Sequence, residues 1–400
     1  MSALKSVLST LCLTAAALSI TACPGSNKNV EAPKNIKIFV KGNPKAVIQG
    51  ATLDATSPIH KKNFQTWSNF NVSSSYSFVE REEVIGGNTT HEELEERNKQ
   101  TDETQGSLPA DYLKVKPVQT ASGEWYFELL SGEAKINFKL QDDGSLQPTS
   151  IYSKQGNVLL NVEVLHWSVS ADGNFASLLL YYDDQTDGRT VDAIYFEKAG
   201  SAAGIRKVDQ KYSYLMGPGS PVGWSVKKDE ALKINLCGPH AQLSGTKDAV
   251  GAWSQHLDGR LKVEFSKAAT YAPFSDLNQH CIYFVDSYMW EEKDNAVAYG
   301  ITATIISESH LKIVDSDIMM FNGESEKLKQ LMRQYGYSES EIAADHDRNL
   351  KIGLAHEVGH LFGLGHQFDG TTSIMSYDFN TLTPAAYDIE ALHLLYPKRN

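Results

Sequence analysis

The chain has 400 residues, with 49 Asp and Glu against 37 Lys and Arg, for a formal net charge of −12. That length suits two or three domains. An acidic chain with no basic stripe is not built to hold nucleic acid, and beyond the N-terminus no stretch is apolar enough to span a membrane.

The first element is a leader. Lys5 gives a positive start, and Ser6 to Ile20 is an apolar, small-residue run too short for a spanning helix, so residues 1–22 read as a signal peptide. The run ends in Ile20-Thr21-Ala22-Cys23, which resembles the bacterial lipobox. The resemblance implies that Cys23 is lipidated and anchors the mature chain in the cell envelope. Pro24 replaces the aspartate that retains such proteins at the inner membrane, so the outer membrane is expected, facing inward or outward. Residues 23–35 are polar and proline-bearing, as a tether would be.

From 36 to 216 the pattern is one of short alternating runs, such as Trp125 to Leu130, Ala134 to Leu140 and Val158 to Val164. Ala171-Asp172-Gly173 and Thr186-Asp187-Gly188 are hairpin signals between strands. This region is expected to be a mainly antiparallel β domain, a sandwich or a barrel-like meander. The charged stretch from Glu80 to Asp111 interrupts it as a long loop with one short helix. Gly217-Pro218-Gly219-Ser220-Pro221 breaks the pattern and places a linker at 217–225.

Residues 226–400 alternate in type. Strands are expected at Ala231 to Leu236, Lys262 to Phe265, Ile282 to Val285, Tyr299 to Ile306 and Leu311 to Phe321. A helix from Lys247 to Leu257 carries Ala249, Val250 and Trp253 on one face, and Glu324 to Asp345 reads as a helical insert. The order suits a twisted, mostly parallel sheet, so the whole is an α+β multidomain protein. Two thiols remain after the leader and Cys23, namely Cys237 and Cys281. An oxidising compartment favours a bridge between them. Their places at opposite ends of parallel strands oppose one, because bridged Cα atoms lie within about 7 Å. The spacing leaves both outcomes open.

His356-Glu357-Val358-Gly359-His360-Leu361-Phe362-Gly363-Leu364-Gly365-His366 carries the chemistry. Residues four apart share a helix face, so His356 and His360 can grip one ion. His366 joins them only if the helix stops between, and Gly363 can adopt the left-handed conformation that stops it. Three imidazoles and one open vertex make a catalytic zinc site. Glu357 stands where a general base is needed.

This string, with Ser373-Ile374-Met375-Ser376-Tyr377 just beyond it, resembles the zinc peptidases called metzincins. The resemblance implies an α/β catalytic domain over 226–400 with a twisted mixed sheet, an active-site helix, a Met-turn and a C-terminal helix. It implies one Zn2+ held by His356, His360 and His366, Glu357 as general base, Met375 as an apolar floor and Tyr377 as a mobile fifth ligand. Tyr299 to Ile306 falls where the family has an antiparallel edge strand that takes up extended peptide. Asp315 and Asp317 stand near where matrixins bind calcium. Gln367 follows the third histidine, where matrixins carry serine and astacins glutamate, so the branch stays open.

The expected activity is a lipid-anchored, extracytoplasmic zinc endopeptidase acting on protein or peptide. The 36–216 domain is either a pro-domain, whose removal near Gly217 frees the enzyme, or a permanent docking domain. Two alternatives remain open. One is an inert metzincin-like adhesion or binding lipoprotein, and the other a hydrolase of cell-wall amides.

Overall fold

The computed structural model of the protein describes residues 35–49, 70–81, 115–130, 134–153, 156–170, 172–184, 188–198, 206–237, 243–268, 276–285, 289–291, 296–307, 309–322, 326–367, 370–376 and 381–398, with positions 200 and 204. The leader, Cys23, the tether, Tyr377 and the expected loop after Arg81 lie outside them. The fold is α+β. The chain divides into two compact units, one of Asn27–Ser201 with Thr270–Asn278, the other holding Ala202–Ala269 and Gln279–Asn400.

The first unit contains strands β1 (Asn35–Lys41), β2 (Phe70–Arg81), β3 (Val115–Gln119), β4 (Trp125–Leu130), β5 (Ala134–Leu140), β6 (Leu146–Ser153), β7 (Leu160–Val169), β8 (Phe175–Asp184) and β9 (Gly188–Lys198), with a short helix α1 (Pro44–Gln49). They form a five-stranded sheet in the order β1-β2-β9-β8-β7 and a four-stranded meander β3-β4-β5-β6. Among the described residues of this unit only the β1–β2 pair is parallel. Strand β5 alternates buried and more exposed residues, as a strand with one face on a core must. Phe127, Ile136 and Phe138 of the meander share one apolar cluster with Trp167, Leu178 and Phe196 of the larger sheet. The expected mainly antiparallel β region is therefore found, with its two sheets sharing one core.

The second unit has strands β10 (Leu232–Cys237), β11 (Val263–Lys267), β12 (His280–Val285), β13 (Met289–Glu291), β14 (Ala296–Ala298), β15 (Gly300–Ser307) and β16 (Lys312–Phe321). Its helices are α2 (Leu243–Ser254), α3 (Glu326–Gln334), α4 (Glu339–Leu361) and α5 (Ala386–Leu395). The sheet runs β11-β10-β12-β16-β15, parallel except for β15, which pairs antiparallel with β16 at the edge. Strands β13 and β14 form a separate antiparallel ladder. Val250 and Trp253 of α2, and Leu354 and Val358 of α4, share one core with Ile234, Ile282, Ile318 and Met320 of the sheet. The second half of α4 is thus a buried helix, while its first half is solvated and starts at a capping box between Ser338 and Glu341.

Two expectations about this unit change. The chain between the units is not the linker foreseen at 217–225, and the division falls near residue 202 rather than 216. Residues 206–224 belong to the second unit as a strap along the end of α4. Tyr214 forms an antiparallel bridge with Leu364. Leu215 N–H donates to Gly363 O (3.2 Å), and Gly365 N–H donates to Ser213 O (3.1 Å). Trp224 Nε1 donates to Leu361 O at 2.8 Å, and the Tyr214 hydroxyl donates to Ala391 O at 3.1 Å. Glycines and prolines break periodicity both in linkers and in tight packing, so composition alone could not separate the two.

Cys237 and Cys281 are bridged, with Cα atoms 5.7 Å apart. The objection from strand ends fails because of register. In the β10–β12 ladder Asn235 stands opposite Cys281 and Cys237 opposite Tyr283, so the two cysteines are near neighbours on adjacent strands.

Candidate metal centre

The histidine helix ends as its glycine predicts. Gly363 has φ +102°. Its N–H donates to His360 O (2.7 Å) while Leu364 N–H donates to Gly359 O (3.1 Å), the double bond pattern of a left-handed helix stop. A side chain at Gly363 would also meet Leu395 Cδ2 and Val222 O at 3.0 Å. The reversal has two effects. It turns the Leu364 carbonyl back onto His360, and it carries His366 to the other side of the two helical imidazoles.

His356, His360 and His366 form the one cluster of three or more His, Cys, Asp or Glu able to hold a metal ion among the described residues. Nε2 of His360 lies 3.0 Å from Nε2 of His356 and 3.2 Å from Nε2 of His366. Nδ1 of His356 is 2.7 Å from Ile374 O, and Nδ1 of His360 is 2.7 Å from Leu364 O. A carbonyl only accepts, so both Nδ1 atoms carry the proton and both Nε2 atoms present a lone pair. Burial drives the His356 imidazolium down to about 3, helped by the charge of His366, and lowers His360 in the same way. Both rings are therefore neutral near pH 7. Lone pairs this close repel unless a cation lies between them. An ion about 2.0–2.1 Å from each nitrogen in tetrahedral order separates them by roughly 3.3 Å.

The floor is apolar. Met375 is buried, and a Cβ on Gly359 would run into its sulfur and stand 2.8 Å from Trp253 Cζ2. Gly359 thus lets the methionine turn approach the helix between the two ligands, which explains a glycine inside a helix at a cost of about 1 kcal/mol. Asp388 holds that turn. It accepts from the Ser373 hydroxyl (2.5 Å) and the Ile374 N–H (2.9 Å), and from Ala385 N–H (2.8 Å) at the start of α5. Gln367 N–H donates to Met375 O at 3.0 Å, which ties the third ligand's loop to the same turn.

Glu357 is fully buried. Its Oε2 accepts from the Thr302 hydroxyl at 2.5 Å, while Oε1 has no hydrogen-bond partner. Burial pushes this carboxyl up to about 8, against the Thr302 bond, which lowers it. A cation at the imidazoles would favour the carboxylate further.

His356, His360 and His366 thus converge, with Met375 packed against Gly359 between the first two, while Glu357 is buried on the same helix against Thr302. Tyr377 and Cys23 lie outside the described residues. Asp315 and Asp317 are buried and engaged elsewhere: Asp315 Oδ1 lies 3.1 Å from His280 Nδ1, and Asp317 Oδ1 accepts from Cys281 N–H at 2.7 Å. Thr302, Asp388 and Tyr214 belong to the centre's support without a local signal in the sequence. Gly359 did carry one, since a glycine inside a helix pattern marks a close approach. No family model, curated protein or solved structure matches the chain.

Proposed function

We propose that this protein is a zinc-dependent endopeptidase whose second unit is built and works as in the metzincins. The observation that carries the proposal is the meeting of three imidazole nitrogens, two of them buried with their protons turned away, beside a buried carboxylate with one oxygen unpartnered. A structural zinc site has four protein ligands; among the described residues three cluster here, which would leave a fourth vertex to solvent or substrate. Zinc in such a donor set supplies a Lewis acid and brings a bound water's pKa to near neutrality.

The chain's own groups do the rest. His356 and His360 are oriented by the carbonyls of Ile374 and Leu364, so the ligand geometry is set before any ion arrives. Glu357 Oε1 takes the proton of the attacking water and hands it to the leaving amine nitrogen. Strand β15, at the sheet edge, offers main-chain groups along which an extended peptide can lie. Tyr377 is proposed to assist as the fifth ligand, and Cys23 to hold the enzyme in the bacterial envelope. The Cys237–Cys281 bridge suits that oxidising setting.

The full chain, loaded with zinc, is expected to cleave casein or a peptide library and to bind one zinc per chain. Glu357→Ala should lose on the order of 10²- to 10⁴-fold in turnover with zinc retained. Equal turnover by the variant, or a folded protein that binds no zinc, would refute the proposal.

A further inference from the structure

We propose that Thr302, on the edge strand β15, is a positioning residue that fixes which oxygen of Glu357 works as the base. This rests on the peptidase function proposed above. The strand reaches Glu357 because Gly300 has no side chain: a Cβ there would stand 3.0 Å from Glu357 Cγ and 2.7 Å from Met320 Sδ. Two residues on, and so on the same face of the strand, Thr302 is 2 % exposed. Its hydroxyl lies 2.5 Å from Glu357 Oε2 and 3.1 Å from the Glu357 carbonyl oxygen.

A hydroxyl has one proton, and the shorter contact takes it to the carboxylate. The other oxygen, Oε1, is left as buried and unbonded. The carboxylate is therefore held on one side by a β-branched residue with few rotamers, and free on the other. Oε2 is thereby occupied as an acceptor, and proton transfer runs through Oε1. Removing the hydroxyl would let the carboxylate rotate between two equivalent oxygens at full burial, which misplaces the base without touching the ligands. Because β15 is also the strand along which peptide would lie, the base and the substrate take their position from one element.

The test uses the full chain with zinc and four variants: Thr302→Val, which keeps the shape and removes the hydroxyl, Thr302→Ser, which restores it, Glu357→Ala, and Thr302→Val with Glu357→Ala. Thr302→Val is expected to keep one zinc per chain and a KM within about two-fold, while kcat falls ~10- to 100-fold. Thr302→Ser should recover kcat to within about three-fold of the parent. A second readout needs no activity. Thr302→Val should shift the urea midpoint more in the parent chain than in the Glu357→Ala background, where the carboxylate is gone and only the residue-357 carbonyl remains as a partner. An unchanged kcat, or the same midpoint shift in both backgrounds, would overturn the role given to Thr302. If the zinc-loaded parent cleaves no peptide, the proposed function fails, while the midpoint cycle still decides whether Thr302 acts on Glu357. Should Thr302→Val not fold, Thr302→Ser against Thr302→Ala carries the same contrast.

Discussion

Two buried carboxyl groups, Asp192 in the first unit and Glu357 in the second, are treated differently. In the β sandwich, Asp192 is 2 % exposed and both its oxygens are bonded: Oδ1 accepts from the Ser77 hydroxyl and Oδ2 from the Tyr182 hydroxyl at 2.8 Å. In the second unit Glu357 is bonded through one oxygen and open at the other. A buried polar group that is fully paired rigidifies a core, whereas one left half-paired costs free energy and persists where chemistry needs it. Asp192 therefore holds strands together, whereas Glu357 is left as the proposed proton carrier would need to be.

The sharpest way to break that contrast is to remove each charge in place. Glu357→Gln should abolish turnover, by on the order of 10²- to 10⁴-fold, without lowering stability, because the amide still accepts from Thr302 and no buried charge remains. Asp192→Asn should leave turnover near the parent's while destabilising by about 1–3 kcal/mol, since one hydroxyl then faces an amide N–H₂. Peptide kinetics and urea unfolding on both variants decide it. A destabilised Glu357→Gln or an inactive Asp192→Asn would erase the distinction.

Metal removal sharpens it next. An ion bound at a thousandfold its Kd stabilises by about 4 kcal/mol. Hydrogen exchange should show the loss on chelation concentrated in 339–376, with the Asp192 sheet unchanged. Protection lost equally from β8 and β9 would contradict a centre confined to the three imidazoles.

The disulfide comes third. It closes a loop with a separation of 44 residues, so replacing Cys237 and Cys281 by alanine should cost about 2–4 kcal/mol. Turnover at 25 °C should persist, because neither cysteine is a ligand or a hydrogen-bond partner of one. Inactivity of a folded double variant would assign the bridge a role at the site.

The smallest effect concerns Asp388. Burial raises its folded-state pKa although its hydrogen bonds lower it, and in the unfolded chain it titrates near about 3.9. The folded chain thus binds this proton more tightly. The group favours the fold most below about pH 4, and that contribution is lost as pH rises to the raised value. Asp388→Asn cannot titrate, so its stability should fall less than the parent's between pH 4 and 7. Parallel curves would place the pH dependence on other groups.

How far the sequence reached depends on the distance each feature spans. Strands such as β4 and β5 were legible because alternation is a local pattern, and they begin and end where it does, whereas the short β13 and β14 left no such trace. The ligand triad was legible because helical spacing places His356 under His360, and a glycine is what ends the helix before His366. The resemblance to metzincins, not any local pattern, implied the antiparallel edge strand that β15 forms. The strap was read in part as a linker at 217–225, because the bridge from Tyr214 to Leu364 joins residues 150 apart and leaves no periodic trace. The disulfide could not be decided from strand order, since register is set by how two strands slide, and the sequence does not state that slide.

By itself, then, the sequence determined which atoms could bind a metal and on which face of a helix they stand, because three and four residues along a helix always lie together. The tertiary structure alone decided what surrounds them. It turned two imidazole protons onto backbone carbonyls, brought a threonine from an edge strand to one carboxylate oxygen and left the other bare. Apart from His360 and Leu364, which the helix stop joins, those contacts link segments many residues apart, and only the packed sheet, with its register and its two close-approach glycines, brings them within hydrogen-bond reach.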